Sequence, residues 1–555
     1  MTRAALRFAP LVLICAVACT EKPAVAPTAG DIGGSMIIVQ PIEPATLFPP
    51  RMNGTEGLPI IDAVFDHLAE IGPDLAVDSD NGYAKKLATG WTWSGDSLSI
   101  AFALDPKAHW HDGVPVRAKD VRYTFAAYTD DSVASETKSL LGNIDSVTVR
   151  DSLTAVFWFK RRLPHQFFDA TYHMYILPSH LLDTISMARV SDAPFGRAPI
   201  GSGRFRFRQW ERGARVEIIA DTSNSRGRAK LDRVIWSFTP DFGSATVKLF
   251  NGEADFYEAI RPDNLAEVER SPTLRLMTAP AMGYTLLMYN LHARKSNTVP
   301  HPLFGDVRVR RAIAMALDRT KMARNVLDTL GYVALSAAPR VLIPDTAAIK
   351  QIAFDTVAAR ALFDSAGWRI TGADKIRTRN GQPFSFEILA AQSSVSRQRY
   401  AVLIQEQLRA LGIAVRVRIA DRKTTGTAIE GHNYDAWVSS VGMTPGRLGV
   451  SQTWGTGGEM NYGGYTSPAL DASIDSAITA FDSTRSRITW TRVFQTLIDD
   501  QPGLFLYEPR TPVAIHKRLR VGTLRADAWY ANLADWSVDP AQRIDRDRVG
   551  LGSAR

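Results

Sequence analysis

Between Phe384 and Ile419 the apolar residues change period twice, and neither an all-helical nor an all-strand fold accommodates that pattern. Phe384, Phe386 and Ile388 alternate as on a strand, Tyr400, Ile404, Leu408 and Leu411 recur at helical spacing, and Ile413, Val415, Val417 and Ile419 alternate again. Gly412 stands where a helix-terminating glycine belongs. A strand, helix and strand this close in sequence form a unit whose strands run parallel and whose crossover is right-handed. The same alternation recurs elsewhere. Met36–Val39 reads as a strand leading to a helix with Ile60, Ile61, Val64, Phe65 and Leu68 on one face. Leu98–Leu104 and Leu153–Phe159 read as strands either side of an amphipathic helix carrying Val121, Phe125 and Tyr128. Asp306 and Asp355 are placed to cap two further helices, the first bearing Val309, Ile313 and Leu317 and the second ending at Gly367. The fold class is therefore mixed α/β. With 555 residues, 45% of them hydrophobic, the chain is long enough for roughly three domains.

The amino-terminal residues read as an export signal. Arg3 and Arg7 precede and flank an uncharged apolar run, Phe8–Ala18, that is shorter than the roughly 20 residues needed to span a bilayer. Ala16-Val17-Ala18 then leads into Cys19, which resembles a bacterial lipobox with Ala16 where leucine is usual. Residues 1–18 are expected to be a signal peptide, Cys19 to receive a lipid, and residues 19–35, rich in Pro, Ala, Thr and Gly, to be a tether. The chain has only two cysteines, Cys15 and Cys19, so the body beyond them has no thiol for a disulfide or a Cys-ligated metal. A formal charge of +8 arises from 65 basic and 57 acidic residues. Without a dense basic stripe or a recognisable motif, that balance does not point to nucleic acid.

The sequence has no HExxH, no GxSxG, no GxxxxGK[ST] and no complete GxGxxG, so no catalytic residue, metal or cofactor is expected. Gly455-Thr456-Gly457-Gly458 reads as a loop, and His109, His111 and Asp112 as part of an Asp-Gly turn. His165, His173 and His180 show no defensible ligand spacing. Asp499 and Asp500 are adjacent, and on a helix point about 100° apart rather than at one substrate atom. Aromatic residues in loops, among them Trp437, Trp454, Tyr462, Tyr465 and Tyr507, are suited to the walls of a ligand cleft.

Several ordered segments carry a family resemblance. These are Lys86-Leu87-Ala88-Thr89-Gly90-Trp91; Ala108 to Val121, with its His-Asp-Gly turn and Ala-x-Asp-Val helix start; and Pro199-Ile200-Gly201-Ser202-Gly203-Arg204-Phe205 with Trp210. Asn251-Gly252-Glu253-Ala254-Asp255, Phe304 to Ala312, Ala316-Leu317-Asp318-Arg319, Ala366-Gly367-Trp368 and Leu411-Gly412-Ile413 follow. Together they resemble the family 5 extracellular solute-binding proteins of ABC transporters, the oligopeptide-, dipeptide- and nickel-binding type, over about residues 36–520.

The resemblance implies a two-lobed periplasmic-binding-protein type II fold with an additional α/β subdomain. The first lobe would comprise residues 36–72, 190–280 and 500–555, the subdomain 73–189 and the second lobe 281–499, with hinge crossings near Ala279–Gly283 and Gly503–Pro509. It implies a cleft that closes on ligand, lined by Glu43, Thr46, Ser439, Ser440, Val441, Gly442, Thr444, Trp454, Asn461, Tyr462, Phe505 and Tyr507. In peptide-binding members a tryptophan and an amine-pairing aspartate follow the Tyr-Asp strand. Counting from Tyr434, Val441 and Thr444 occupy those places, and no Asp or Glu occurs between Asp435 and Glu459.

The implied function is capture of a peptide or other small solute for an ABC importer whose permease and ATPase are separate chains. The protein would be a monomer held at the extracytoplasmic face by its lipid. A lipid-anchored sensor or chaperone could use the same cleft, and a hydrolase with an unrecognised site is the reading from another class.

Overall fold

The computed structural model describes residues 31–551 apart from 53, 259 and 550, so Cys19, the expected signal peptide and most of the expected tether lie outside the described residues. The strand-helix-strand unit forms as Ser385–Ala391, Val395–Arg409 and Ala414–Ala420, with the two strands paired in parallel and Ile388 opposite Val417. Ser394 starts the helix by accepting from the Arg397 amide. Gly412 ends the turn that follows it at φ +81°, where an added Cβ would meet the Lys375 carbonyl oxygen at 2.6 Å. Asp306 and Asp355 accept amide hydrogens at the starts of Val307–Ala316 and Thr356–Ser365, and Leu317 falls one residue past the end of the former.

A twelve-stranded mixed sheet runs through both lobes. In the second lobe Ser385–Ala391 and Ala436–Gly442 pair in parallel, and Gly283–Tyr289 pairs antiparallel to Ala436–Gly442. In the first lobe Ser35–Gln40 pairs in parallel with Arg233–Phe238, and Arg215–Ala220 and Phe205–Glu211 extend that side. The long strand Gly503–His516 joins the two halves. Its beginning pairs with Gly283–Tyr289 in the second lobe, and its end pairs with Leu274–Pro280 in the first. The chain therefore passes between lobes at 280–283 and again near Pro509. Residues 503–507 belong to the second lobe's sheet, later in the chain than the expected boundary at 500. Leu504, Phe505 and Leu506 are buried on both faces, as a central strand requires.

Within the segment expected to be the subdomain, Ala88–Trp93, Ser99–Leu104, Thr154–Phe159 and Ile144–Asp151 form an antiparallel sheet in that order, packed against the helix Ala118–Thr129. Asp120 fixes this helix in two directions. One carboxylate oxygen accepts from the Arg117 amide at 2.8 Å, and the other accepts from the amide and hydroxyl of Ser179.

The helix expected to extend to Leu68 spans only Leu58–Val64, and Phe65 is already extended. A loop from the first lobe takes over its carboxyl end. The Gly203 amide donates to the Val64 carbonyl at 2.8 Å. Gly201 and Gly203 approach so closely that an added Cβ would lie 1.9 Å from the Val64 oxygen and 2.3 Å from the Ala63 oxygen, respectively. His111 holds the loop from the other side: its Nδ1 accepts from the Gly201 amide at 3.1 Å, leaving Nε2 to donate to the Gly203 carbonyl at 3.0 Å. Among the described residues no helix is long and apolar enough to cross a membrane.

Candidate functional site

A cavity of about 420 Å³ lies between the lobes. The helix Leu58–Val64 brings Asp62 to its wall, and the chain leaving that helix brings His67 and Glu70. The end of the helix Gln166–Tyr172 and the residues after it add Tyr172, His173 and Tyr175. The carboxy-terminal segment supplies Arg525, Asp527 and Tyr530. Across from these stand Met282, Met443, Thr444 and Pro445 of the second lobe.

Charge on the first-lobe wall is organised around Arg525, which reaches Glu70 at 2.6 Å and Asp527 at 2.6 Å. Lys86 approaches Glu70 from behind at 2.6 Å. Burial acts to raise the Glu70 carboxyl, but Lys86, His67 and Arg525 outweigh it and hold it at about 2. Asp62 is the opposite case. Burial pushes it up to about 7, Glu70 and Asp66 add to the rise, and Lys86 and Arg525 offset only part of it. Among the described residues its carboxylate accepts one hydrogen bond, from the Tyr175 hydroxyl at 3.3 Å. Burial lowers His67 to about 4 and His173 to about 3, so both imidazoles are neutral near pH 7. Burial also keeps the phenols of Tyr172, Tyr175 and Tyr530 protonated. The wall thus presents neutral rings, hydroxyls and a carboxylate without an ion-pair partner among the described residues, a set suited to binding and orienting a small polar molecule.

A second cavity of about 240 Å³ adjoins the first, sharing Leu140, His173, Met443, Thr444 and Pro445, and has Val77, Phe168, Leu448, Met460 and Trp490 on its apolar side. Near it the lobes touch directly. Arg447 reaches Asp78 at 3.0 Å, the Ser486 hydroxyl donates to the same carboxylate at 3.1 Å, and the Arg162 guanidinium lies 4.1 Å from the Phe481 ring centroid.

Of the residues expected to line the cleft, Thr444 borders both cavities and Gly442 borders the smaller. The others have local partners away from these walls. Glu43 accepts from Trp210 Nε1 at 2.7 Å and the Gly213 amide at 3.1 Å, and Thr46 Oγ1 accepts from the Phe48 amide. Ser439 and Val441 lie in the strand opposite Leu286 and Tyr284, while the Ser440 hydroxyl meets that of Thr285 at 2.8 Å. Trp454 donates to the Tyr284 hydroxyl and packs on buried Phe505. Asn461 braces its own loop through Gly455 and Tyr465, Tyr462 packs edge-on to Trp437, and Tyr507 stacks on Tyr400. The residues that do form the charged wall went unread in the sequence. The available signal was the density of ionisable and aromatic residues in Asp62–Glu70 and Arg525–Tyr530.

Residues 82–461 match the model of the bacterial extracellular solute-binding proteins, family 5 middle region. The oligopeptide-binding protein AppA of Bacillus subtilis is 27% identical over 417 residues, covering 74% of this chain and 75% of that protein. The structure of that AppA in complex with a nonapeptide superposes with a TM-score of 0.70 at 23% identity, over 92% of this chain and 99% of its own. The substrate-binding protein CtaP of Listeria monocytogenes gives a TM-score of 0.79 at 20% identity, over 92% and 100%. NikZ of Campylobacter jejuni, solved in complex with Ni(L-His), gives 0.70 at 22% identity, over 91% and 99%.

Proposed function

Since the chain belongs to the bacterial extracellular solute-binding proteins of family 5, we propose that it captures a short peptide or comparably small solute between its lobes. It then delivers that solute to an ABC importer whose permease and ATPase are separate chains. The observation that carries this reading is the cavity of about 420 Å³ walled by both lobes, within the roughly 300–1,000 Å³ typical of small-ligand sites. Ligand that touches both walls binds the closed arrangement better than an open one, and that difference in affinity drives closure. An extended nonapeptide would run roughly 30 Å. The size of the cavity favours something shorter.

Capture of this kind requires no covalent step, so ligand is expected back unaltered after long incubation. The location is extracytoplasmic, with lipid at Cys19 as the anchor and a monomer as the working unit. The test is to purify the full chain without denaturation and identify co-purified molecules by native mass spectrometry, with thermal shift confirming each by re-addition. A peptide or other small solute that co-purifies and raises the melting temperature supports capture. A chain that retains nothing and is stabilised by no peptide, sugar or metal chelate sinks it.

A further inference from the structure

We propose that the captured solute carries a primary ammonium group and that Asp62, on the first-lobe wall, receives it. This rests on the reading of the interlobe cavity as a solute site and names the chemistry of its occupant. Four carboxylates border the larger cavity, those of Asp62, Glu70, Glu136 and Asp527, against the single guanidinium of Arg525. Glu70 and Asp527 are both matched to Arg525, at 2.6 Å each, and Lys86 adds a second cation to Glu70. Glu136 is exposed. Asp62 makes no ion pair among the described residues and keeps only the Tyr175 hydroxyl at 3.3 Å. A half-buried carboxylate with one weak donor is short of partners for its charge, and desolvation accordingly raises its proton affinity. A cation arriving from the cavity supplies the missing partner.

The surroundings select the type of cation. Tyr175 turns its hydroxyl to Asp62 at 3.3 Å, and Tyr530 lies close enough for the Asp62 charge to raise its phenol, so phenol oxygens stand beside the carboxylate. Phenol oxygens beside a carboxylate can accept further N–H bonds from a compact ammonium, which carries three donors. On the opposite wall Thr444 offers a hydroxyl and no charge. The second lobe cannot neutralise an amine there, and the first lobe can.

The experiment titrates the full chain calorimetrically with di- and tripeptides of alanine and leucine, each in free-amine and N-acetyl form, and with cadaverine. Co-purified solutes are identified in parallel by native mass spectrometry. The expected result is binding of at least one free-amine probe, a loss of at least tenfold on acetylation, and a similar loss for Asp62→Asn. Should that variant fail to fold, the acetylation contrast on the unaltered chain decides. Equal binding of free and acetylated forms overturns the proposal, as does unchanged affinity in Asp62→Asn. So does a retained solute without an amine while every amine probe fails; in these three cases capture itself stands. If no probe binds and no solute is retained, the capture reading falls and the amine anchor with it.

Discussion

The Arg447 guanidinium lies 3.0 Å from the Asp78 carboxylate, joining the segment after the strand Ala436–Gly442 to the first-lobe side of the interlobe cavities. The same guanidinium donates through Nε to the Leu342 carbonyl at 2.8 Å, which fixes its direction within the second lobe. Asp78 also accepts from Ser486, so two second-lobe donors converge on one carboxylate. The pair sits at the edge of the smaller cavity, where both Asp78 and Arg447 form part of the wall. A contact of this kind exists only while the lobes are together, so its energy adds to the closed state alone.

Arg447→Ala should therefore shift the ligand-free chain toward a more open form. A partly exposed ion pair contributes about 0.2–1 kcal/mol. Ligand affinity should fall by no more than about fivefold, while small-angle scattering shows a larger radius of gyration. An unchanged radius would argue against a role in closure.

Gly201→Ala should destabilise the chain by about 1–3 kcal/mol or more in denaturant titration, because its Cβ would meet the Val64 carbonyl oxygen at 1.9 Å. Gly213→Ala serves as the comparison. That glycine has φ +70° but open space around a Cβ, so only backbone strain applies. Equal losses at the two positions would show that close packing is not the reason for Gly201.

Arg518 is almost fully buried between Asp255, at 2.9 Å, and Asp547, at 2.5 Å, and also donates to the Ser35 carbonyl. Replacing it with Met leaves buried Asp547 without its cation and Asp255 with Arg546 alone. The expected loss is about 3–5 kcal/mol, measured by chemical denaturation. Loss of under 1 kcal/mol would mean that Arg546, which also reaches Asp255, compensates.

His67 supplies a pH test. Burial, opposed by Glu70 and reinforced by Lys86, lowers it to about 4, against about 6.5 in the unfolded chain. Below pH 6.5 the unfolded state binds more protons, so this contribution is complete above 6.5 and lost as pH falls through about 4. Between pH 7.5 and 4.5 the stability difference between the natural chain and His67→Gln should move by about 2 kcal/mol in favour of the variant. A difference that stays constant across that range would rule out a neutral buried imidazole. Asp62, raised to about 7, has the opposite sign: its contribution is complete below about 3.9 and lost as pH rises through 7.

Cys19→Ala should abolish incorporation of labelled lipid and release the chain from the membrane fraction. Unchanged labelling and partition would remove the proposed anchor.

The sequence by itself determined the local units and much of the architecture. Period-two and period-3.6 patterns set which segments pair and which pack, so the unit at 384–419 and the caps at Asp306 and Asp355 were legible from spacing alone. The motif residues were legible too, although the structure gives several of them a physical task inside the fold. Asp120 bonds to Ser179, Asp255 accepts from the Ile37 amide and Arg518, and His111 and Gly201 close on the end of a helix. Tertiary structure alone decided where that helix stops, because the donor that replaces its next turn comes from Gly203, far along the chain. It also decided the site. Asp62, Tyr175 and Arg525 are separated by long stretches of sequence, and no local period connects them. Only packing brings them to one wall, and only burial and neighbouring charge distinguish the well-paired Glu70 from Asp62, which has no ion-pair partner among the described residues.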